Sequence, residues 1–550
     1  MDTFDHTTDV VVVGSGGGAL TAALTVRLAG GDAIVIEKCP RYGGSTALSA
    51  GGMWIPNNHK MAEAGIYDSY ELALTYMKNA VGDRVPESKL EAYVRYAPEM
   101  IKFLCDNSSF KVMIVPNSAD YYDLPGSITN GRALEAMPFN GKLLKQHRRT
   151  LLVMPAPFEI TLVEALRLTK LKTTGAGKRQ LFKTGLQMAL WTVSRRKRLT
   201  MGRALIGSLR YSMMKLGVPL WLNSPAKTLI MENGMVAGVE IEKDGKPFAI
   251  KARKGIILAA GGFARNQQMR EQYLPNPTST DWSVASEGDT GDAISMGLKI
   301  GAAVDLMDDA WWMPVFIDAN RLSFPVVSER QLSGSLIVDQ TGKRFVNEAI
   351  PYSDFGHEVY KRHSDRYPAI PFYYIMDQRC RKKYFFGIFR PGQKIPQPYY
   401  ERGEFAKANT IPKLAQLIGI NPDTLEQTIT RYNGYARGMK DQEFRKGQTP
   451  FEHVYADPAM WPNPCLAPID KPPFYAVKMY PGDLGTKGGL VTDEYARVLN
   501  NNGLVIQGLF AIGNTSASVM GNAYAGAGGT IGPSMTFGYI AAQYLNGALK

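Results

Sequence analysis

Six consecutive small residues near the N-terminus, Gly14-Ser15-Gly16-Gly17-Gly18-Ala19, have the types and spacing to hold a pyrophosphate. Gly14 permits a tight turn, Gly16 lets backbone approach the phosphates, and Ala19 keeps the following helix close to its sheet. A helix starting there turns unpaired N–H groups and its positive dipole end toward an anion. Glu37 lies 23 positions after Gly14, near the roughly 20 expected of an acid that binds a ribose. A second small, polar run follows in Gly43, Gly44, Ser45, Thr46, Ser49, Ala50, Gly51 and Gly52. Two runs of close backbone approach suit a cofactor that extends past its pyrophosphate. Near the other end, Gly513-Asn514 and Gly526–Pro533 repeat the pattern. There Gly529, Thr530 and Ile531 precede a helix whose N-terminus suits a negatively charged group.

The elements that must position these residues can be read from apolar pattern and punctuation. Asp9–Val13 is a short β-branched run, readable as a buried parallel strand. A helix over Leu20–Leu28 and a strand over Ala33–Ile36 ending at Glu37 complete a strand, glycine turn, helix, strand and acid. In the middle, the strand Gly255–Leu258 leaves through Ala259, Ala260, Gly261 and Gly262. At the end, Leu509–Ile512 runs into Gly513, and a helix over Ser534–Leu545 stops at Asn546-Gly547, with Pro533 at its start. The segment around Gly43-Gly44-Ser45 resembles the GG(S/T) segment of FAD proteins with a glutathione-reductase-like nucleotide fold. The expected fold is therefore α/β. A Rossmann-like FAD-binding domain is assembled from non-contiguous segments, 1–312 and 483–550, and an α+β substrate domain spans 313–482.

Composition narrows the class. The chain has 550 residues, 45% apolar and 21% charged, which excludes wholesale disorder. Its 55 glycines follow no triplet period, which excludes collagen. Cys39, Cys105, Cys380 and Cys465 lie far apart, against a disulfide framework or clustered zinc site. Six histidines form no metal-spaced pair, so no metal is expected. The net charge is +13, and it is local. Residues 141–210 hold 16 Lys/Arg and two acids, Glu159 and Glu164, against 47 Lys/Arg and 48 Asp/Glu elsewhere. Within this stretch Leu181-Phe182, Leu186, Leu190 and Val193 recur at helical steps, followed by Arg195-Arg196-Lys197-Arg198. A helix with an apolar face and a basic flank suits peripheral contact with an anionic membrane, the alternative being a solvated linker. No recognition motif accompanies the charge, so no nucleic-acid partner is expected. The acidic start lacks a basic n-region and an apolar h-region. No uncharged run reaches the roughly 18–20 residues of a span. The expected location is cytoplasmic, with attachment at the inner face of the membrane.

Longer motifs add a family. Leu258-Ala259-Ala260-Gly261-Gly262-Phe263, Thr290-Gly291-Asp292 and the C-terminal glycine-rich helix resemble the fumarate reductase/3-ketosteroid dehydrogenase superfamily. Pro481–Gly489, Met520–Pro533, Arg344–Glu348 and Pro351–Phe355 resemble 3-ketosteroid Δ1-dehydrogenases more specifically. The resemblance covers nearly the whole chain except about 140–210. It implies that FAD takes a hydride from C1 of a 3-ketosteroid and that a tyrosine takes the C2 proton. Carried over by motif, Tyr352 is the base, and Tyr524 O–H and the backbone N–H of Gly528 bind the C3 carbonyl. Tyr121 assists the base, with its neighbour Tyr122 as the alternative. Lys38, Ala226 and Asp292 join the expected cofactor contacts, and His357, five positions after Tyr352, is a candidate supporting residue. Aromatic runs at Trp311-Trp312, Pro371–Tyr374 and Tyr384–Phe386 suit an apolar cleft, though most would serve as ordinary core. A single dinucleotide motif implies an external electron acceptor, a quinone being one candidate. Rival readings are a 3-ketosteroid Δ4-(5α)-dehydrogenase, a fumarate-reductase-type ene-reductase and a non-catalytic electron-transfer flavoprotein.

Overall fold

A computed structural model describes residues 4–153, 159–169, 179, 183, 185, 186, 190 and 197–549. The chain opens with β1 (His6–Val13), α1 (Gly17–Leu28) and β2 (Ala33–Ile36). β1 and β2 pair in parallel, with Val10 opposite Ala33 and Val13 opposite Ile36. Val10, Val11, Val12, Ile34 and Val35 are wholly buried, because helices cover both faces of a parallel sheet and leave no polar side. A short helix, α2 (Gly44–Leu48), follows at once, and α3 (Met201–Lys215) comes much later. The sheet grows outward with β3 (Leu220–Trp221) beside β2. The antiparallel meander β4 (Ala226–Glu232), β5 (Met235–Lys243) and β6 (Lys246–Leu258) then brings β6 against the free edge of β1, parallel to it.

The second sheet is antiparallel. Its strands are β7 (Ala310–Ile317), β8 (Ser323–Pro325), β9 (Ser335–Val338), β10 (Phe372–Asp377), β11 (Phe405–Ala408) and β12 (Phe474–Thr486). They lie in the order β8-β7-β12-β10-β9, with β11 also on β12. One face packs on a helix that starts at Tyr352 and ends at Arg362, here α4. Phe316, Phe355, Phe372, Tyr374, Phe386 and Phe405 form a single buried cluster there. The expected aromatic runs therefore serve mostly as core, as their burial dictates. β7 runs through the expected division at 312/313 and β12 through that at 482/483. The far end of β12 reaches back to the first sheet, where Thr486 Oγ1 accepts from Phe263 N at 3.1 Å.

The last segment closes the nucleotide sheet. β13 (Arg497–Leu499) and β14 (Val505–Ala511) complete the order β13-β14-β6-β1-β2-β3. β14 lies parallel to β6, Leu258 facing Ala511. α5 (Ile531–Leu545) packs along α1. The two helices touch through glycine. A Cβ on Gly18 would lie 2.4 Å from Ser534 Oγ, and one on Gly538 would lie 2.6 Å from the Gly18 carbonyl. The fold is the expected α/β arrangement, with a Rossmann-like FAD-binding domain of non-contiguous segments and an α+β partner.

The basic stretch is not one surface. Its end, α3, is scaffold: Leu205, Ile206 and Leu209 are wholly buried. Arg198 pairs with Glu164 at 2.9 Å and Arg203 with Glu159 at 2.6 Å. Arg210 is buried, and burial lowers its affinity for a proton. These three cations face inward, so the insertion expected over 141–210 is part of the body from Lys197 onward. Lys142, Lys145, Arg148 and Arg149 are exposed. The apolar pattern expected over 181–193 and the run Arg195-Arg196 lie outside the described residues, apart from Lys183, Gly185, Leu186 and Leu190. Among the described residues no helix is long and apolar enough to cross a membrane.

Candidate active site

Three helix N-termini and one strand end converge on the expected cofactor path. α1 begins after Gly16 with no capping side chain and no acid in its first turn, so its positive end is left for an anion. Gly14 has φ +110°, and a Cβ there would strike the Ala259 carbonyl at 2.3 Å. A Cβ on Gly16 would meet only Thr46 Oγ1, at 3.6 Å, so this glycine borders open space. Gly17 N donates to Thr46 Oγ1 at 3.1 Å, joining the two glycine runs. Glu37 stands at the end of β2, with Ser15 Oγ donating to one oxygen at 2.5 Å and Cys39 N to the other at 2.9 Å. Ser224 N donates to the Glu37 carbonyl at 2.9 Å, which brings the start of β4 and Ala226 beside it.

α2 starts after Gly43, whose N–H donates to Ser15 Oγ at 3.0 Å, and Gly44 faces Gly16. Ser45 Oγ donates to Asp289 at 3.1 Å, and Lys38 pairs with Asp292 at 2.6 Å. Gly51 packs against Met201–Gly202, Gly261 against Asp289 and Gly262 against Thr486, so protein contacts alone require these three glycines. Ser49 O accepts from Gly202 N, and Ala50 is exposed. Gly513 adjoins Ser534, and Asn514 accepts from Trp311 Nε1 at 3.1 Å. α5, after Gly529 and Thr530, likewise has no capping side chain and no first-turn acid. Three uncapped helix ends, a carboxylate fixed at the end of β2 and the open ground at Gly16 fit FAD.

Gly52 links this cradle to the catalytic candidates. A Cβ on it would lie 3.7 Å from Gly528 N, and Gly528 itself has φ +97° with no room for a side chain. Around Gly528 the structure gathers three tyrosines. Tyr121 O–H donates to Tyr352 Oη at 3.2 Å. The Tyr524 ring stacks on Tyr121 at 5.2 Å and meets Tyr352 edge-on at 5.1 Å. Tyr524 Oη is 3.1 Å from Thr530 Oγ1. Of the Tyr121-Tyr122 doublet, only Tyr121 has a hydroxyl–hydroxyl contact with Tyr352. Tyr122 donates instead to Asp354 at 3.1 Å and accepts from Tyr524 N at 3.0 Å, which fixes the Tyr524 backbone.

Local sequence explains this meeting. Tyr352 is the first residue of α4, delivered by Pro351. Tyr121 is tied to the Tyr524 loop by Tyr121 N→Ala525 O at 3.0 Å. Trp311 closes the far side, 5.0 Å from the Tyr524 ring, and Phe451 lies 4.3 Å from Tyr121. Burial pushes Tyr352 and Tyr121 well above the ordinary phenol value; Tyr121 raises Tyr352 further, whereas the hydrogen bond with Tyr352 pulls Tyr121 down. Burial also raises Tyr524, while hydrogen bonding with Thr530, Tyr352 and the Gly528 backbone opposes it.

Several site residues carry no sequence signal of their own. Lys487 is wholly buried and holds Asp309 at 3.1 Å while donating to the carbonyls of Asn522 and Ala523. It lies inside Pro481–Gly489, so the motif marked the region but not the role. Asp309 also accepts from Asn522 Nδ2 at 2.9 Å and contacts His357 Nε2 at 2.8 Å. Burial alone would raise Asp309, but Lys487, His357 and Asn522 outweigh it and hold the carboxyl at about 2. His357 thus supports the Tyr524 loop indirectly. Arg330 and Tyr455 also face the tyrosines and belong to none of the quoted motifs.

A family model described as an FAD binding domain matches residues 9–531. A 3-oxosteroid 1-dehydrogenase of Mycobacterium tuberculosis (strain ATCC 25618 / H37Rv) is 42% identical over 554 residues, covering 98% of each chain. A 4-oxocyclohexanecarboxylate 2-dehydrogenase of Sinomonas cyclohexanicum is 33% identical, covering 98% of this chain and 93% of that one. The crystal structure of 3-ketosteroid delta1-dehydrogenase from Sterolibacterium denitrificans, in complex with 1,4-androstadiene-3,17-dione, superposes with a TM-score of 0.94 at 40% identity. It covers 99% of this chain and 100% of that one. Fold, cofactor cradle and full-length similarity agree: the chain belongs to the FAD-dependent 3-ketosteroid Δ1-dehydrogenase family.

Proposed function

We propose that this protein is a 3-oxosteroid 1-dehydrogenase that introduces the 1,2-double bond of a 3-ketosteroid. The supporting observation is the hydroxyl contact of Tyr121 with Tyr352, 3.2 Å long and enclosed with Tyr524 beside Gly528. Tyr524 O–H and Gly528 N–H donate to the C3 carbonyl and stabilise the enolate that develops there. Tyr352, as phenolate, takes the C2 proton; the C2–H bond breaks and its electron pair becomes part of the C1=C2 bond. Tyr121 O–H donates to the Tyr352 oxygen and spreads its charge. Bound FAD supplies the acceptor for the hydride that leaves C1. Trp311 and Phe451 keep water from the reacting carbons.

The test is anaerobic mixing of the holoenzyme with a 3-ketosteroid. Bleaching of the flavin with a 1,2-desaturated product is expected, and Tyr352→Phe should abolish it. A 4,5-desaturated product would favour the Δ4-(5α) alternative, and no bleaching would favour electron transfer alone. The same product analysis over short- and long-side-chain steroids defines the substrate range.

The electrons pass to an external acceptor, for which a quinone is the candidate. The cytoplasmic enzyme meets its membrane through the basic stretch that begins near residue 141. The charge pattern supports this: Lys142, Lys145, Arg148 and Arg149 are exposed, and Lys170, Lys172, Lys178, Arg179, Lys183, Arg195 and Arg196 follow them in the sequence. Because α3 is scaffold, the stretch is tested by replacing Lys142, Lys145, Arg148, Arg149, Lys178, Arg179, Lys183, Arg195 and Arg196 with Gln. Unchanged binding to anionic liposomes would remove the proposal.

A further inference from the structure

The Tyr121-Tyr122 doublet sends its two side chains to different tasks. Tyr121 meets the Tyr352 hydroxyl at 3.2 Å, whereas the Tyr122 hydroxyl stands between two other segments. It donates to Asp354 Oδ1 at 3.1 Å and accepts from Tyr524 N at 3.0 Å. Asp354 lies in the first turn of α4, two residues after Tyr352. One oxygen therefore joins the helix that carries Tyr352 to the backbone of Tyr524. The residue that bears this oxygen is covalently next to Tyr121. All three tyrosines of the site thus have a direct link to Tyr122.

The neighbouring contacts divide the work. Tyr121 N donates to Ala525 O at 3.0 Å, Tyr76 O–H donates to the same carbonyl at 2.6 Å, and Tyr122 N donates to Tyr76 Oη at 3.2 Å. These bonds pin residues 121–122 to residues 524–525, and none of them reaches α4. The Tyr122 hydroxyl supplies that link. The Tyr524 N–H that it satisfies lies in a segment without strand pairing, so it needs an acceptor from a side chain. Asp354 draws on the Tyr122 O–H and so makes the same oxygen a stronger acceptor for the amide. Burial and the Asp354 carboxylate hold Tyr122 well above the ordinary phenol value, so it stays a neutral hydroxyl that can serve both partners.

We propose that Tyr122 is the positioning residue of the three-tyrosine site: its hydroxyl, held between Asp354 and the Tyr524 amide, sets the distance from the carbonyl donor to the proton acceptor. The inference rests on Tyr524 and Tyr352 in those two roles. The C3 oxygen and the C2 hydrogen of a steroid belong to one rigid ring and lie a fixed distance apart. Donor and base must therefore hold a matching separation, because the substrate cannot flex to correct an error. Tyr122 acts on the Tyr524 backbone and on α4, and takes no proton itself.

Single-turnover bleaching of the FAD-loaded enzyme by a 3-ketosteroid, anaerobic and over a range of steroid concentrations, tests this. Tyr122→Phe keeps the ring and loses the bridge. Its limiting rate per bound flavin should fall about 10- to 100-fold, the scale of a misplacement of about 1 Å. Its half-saturating concentration should stay within about threefold of native, because the lost positioning acts on the transition state. Asp354→Ala should slow the reaction likewise. Asp354→Asn keeps an acceptor oxygen for Tyr122 and should recover to within about fivefold of native. Both residues act through one bridge, so the double variant Y122F/D354A should be at most about twofold slower than the slower single variant. A native limiting rate in Y122F, even with a lowered thermal midpoint, shows a structural tyrosine and overturns the inference. Losses that multiply in the double variant overturn it too. If Y122F does not fold, Asp354 decides: a loss in D354A with recovery in D354N supports the bridge, and equal losses or none overturn it. Tyr352→Phe keeps the two readings separate. Full activity there removes the base assignment itself, whereas an inactive Y352F beside a native-rate Y122F removes only the role of Tyr122.

Discussion

Tyr524→Phe separates chemistry from architecture. The replacement removes one oxygen and keeps the ring, so the contacts with Tyr121 at 5.2 Å, Tyr352 at 5.1 Å and Trp311 at 5.0 Å survive. The bond to Thr530 at 3.1 Å is lost. A neutral hydrogen bond contributes about 1 kcal/mol net, so stability should fall by no more than that. The effect on catalysis should be larger. Removing one of two donors to a developing oxyanion costs about 3–4 kcal/mol, or roughly 100- to 1,000-fold in rate. Gly528 N–H remains, so activity should be reduced rather than erased. The assay is single-turnover flavin bleaching under anaerobic conditions, with the FAD content and thermal midpoint of each preparation measured alongside. A strong loss of bleaching rate in a fully loaded, native-like variant is expected. A rate within about threefold of native would refute the donor role. An equal fall in FAD content and rate would show that the hydroxyl serves the loop and not the substrate.

Gly18→Ala should lower FAD occupancy and stability together, because its Cβ would lie 2.4 Å from Ser534 Oγ and force α1 from α5. Overpacking of this kind costs about 1–3 kcal/mol, and chemical denaturation with flavin fluorescence would read both effects. Asp289 gives a pH dependence. Burial raises its carboxyl from 3.8 to about 7. Between these values the folded FAD-free protein holds more protons than the unfolded chain, so its stability should fall as pH rises from about 4 to 7. The bound is about 4 kcal/mol, and Asp289→Asn should flatten the dependence. Equal slopes for native and D289N in urea midpoints would show that Asp289 does not titrate in this window.

The nucleotide end was legible because its signals are local. A β-branched strand, glycines at fixed offsets and an acid at the next strand end need only short-range sterics and the helix dipole, and the structure sets them on β1, its turn into α1 and the end of β2. Gly51, Gly261 and Gly262 show the limit: small residues along a cofactor path also permit protein-on-protein contact, and a sequence does not distinguish these uses. The tyrosines were legible only through motif resemblance, since Tyr121, Tyr352 and Tyr524 lie hundreds of residues apart in pairs that no periodicity links. Arg330 and Tyr455 went unseen for the same reason. Which groups face them is set only once the second sheet has folded. The basic stretch misled in part because counting treats Arg198, Arg203 and Arg210 as surface charge, whereas two of them pair with its only acids and the third is buried.

The loop that carries Tyr524 and Gly528 poses a problem that burial alone cannot solve. It runs between β14 and α5 with little regular structure, so its carbonyls lack ladder partners, and buried backbone polar groups must find partners elsewhere. Lys487 answers part of this by donating to Asn522 O at 2.6 Å and Ala523 O at 3.2 Å. A buried ammonium then needs its own counter-ion, and Asp309 supplies it at 3.1 Å. Asp309 in turn spends its remaining capacity on Asn522, Trp312 and His357. Each polar group is tolerated because the next satisfies it, and the sequence of contacts ends at half-exposed His357, where water can take over. A donor pair for an oxyanion helps only if it is already in place before charge develops. The ionic network therefore bears on the proposed chemistry by fixing the loop that carries Tyr524 in place.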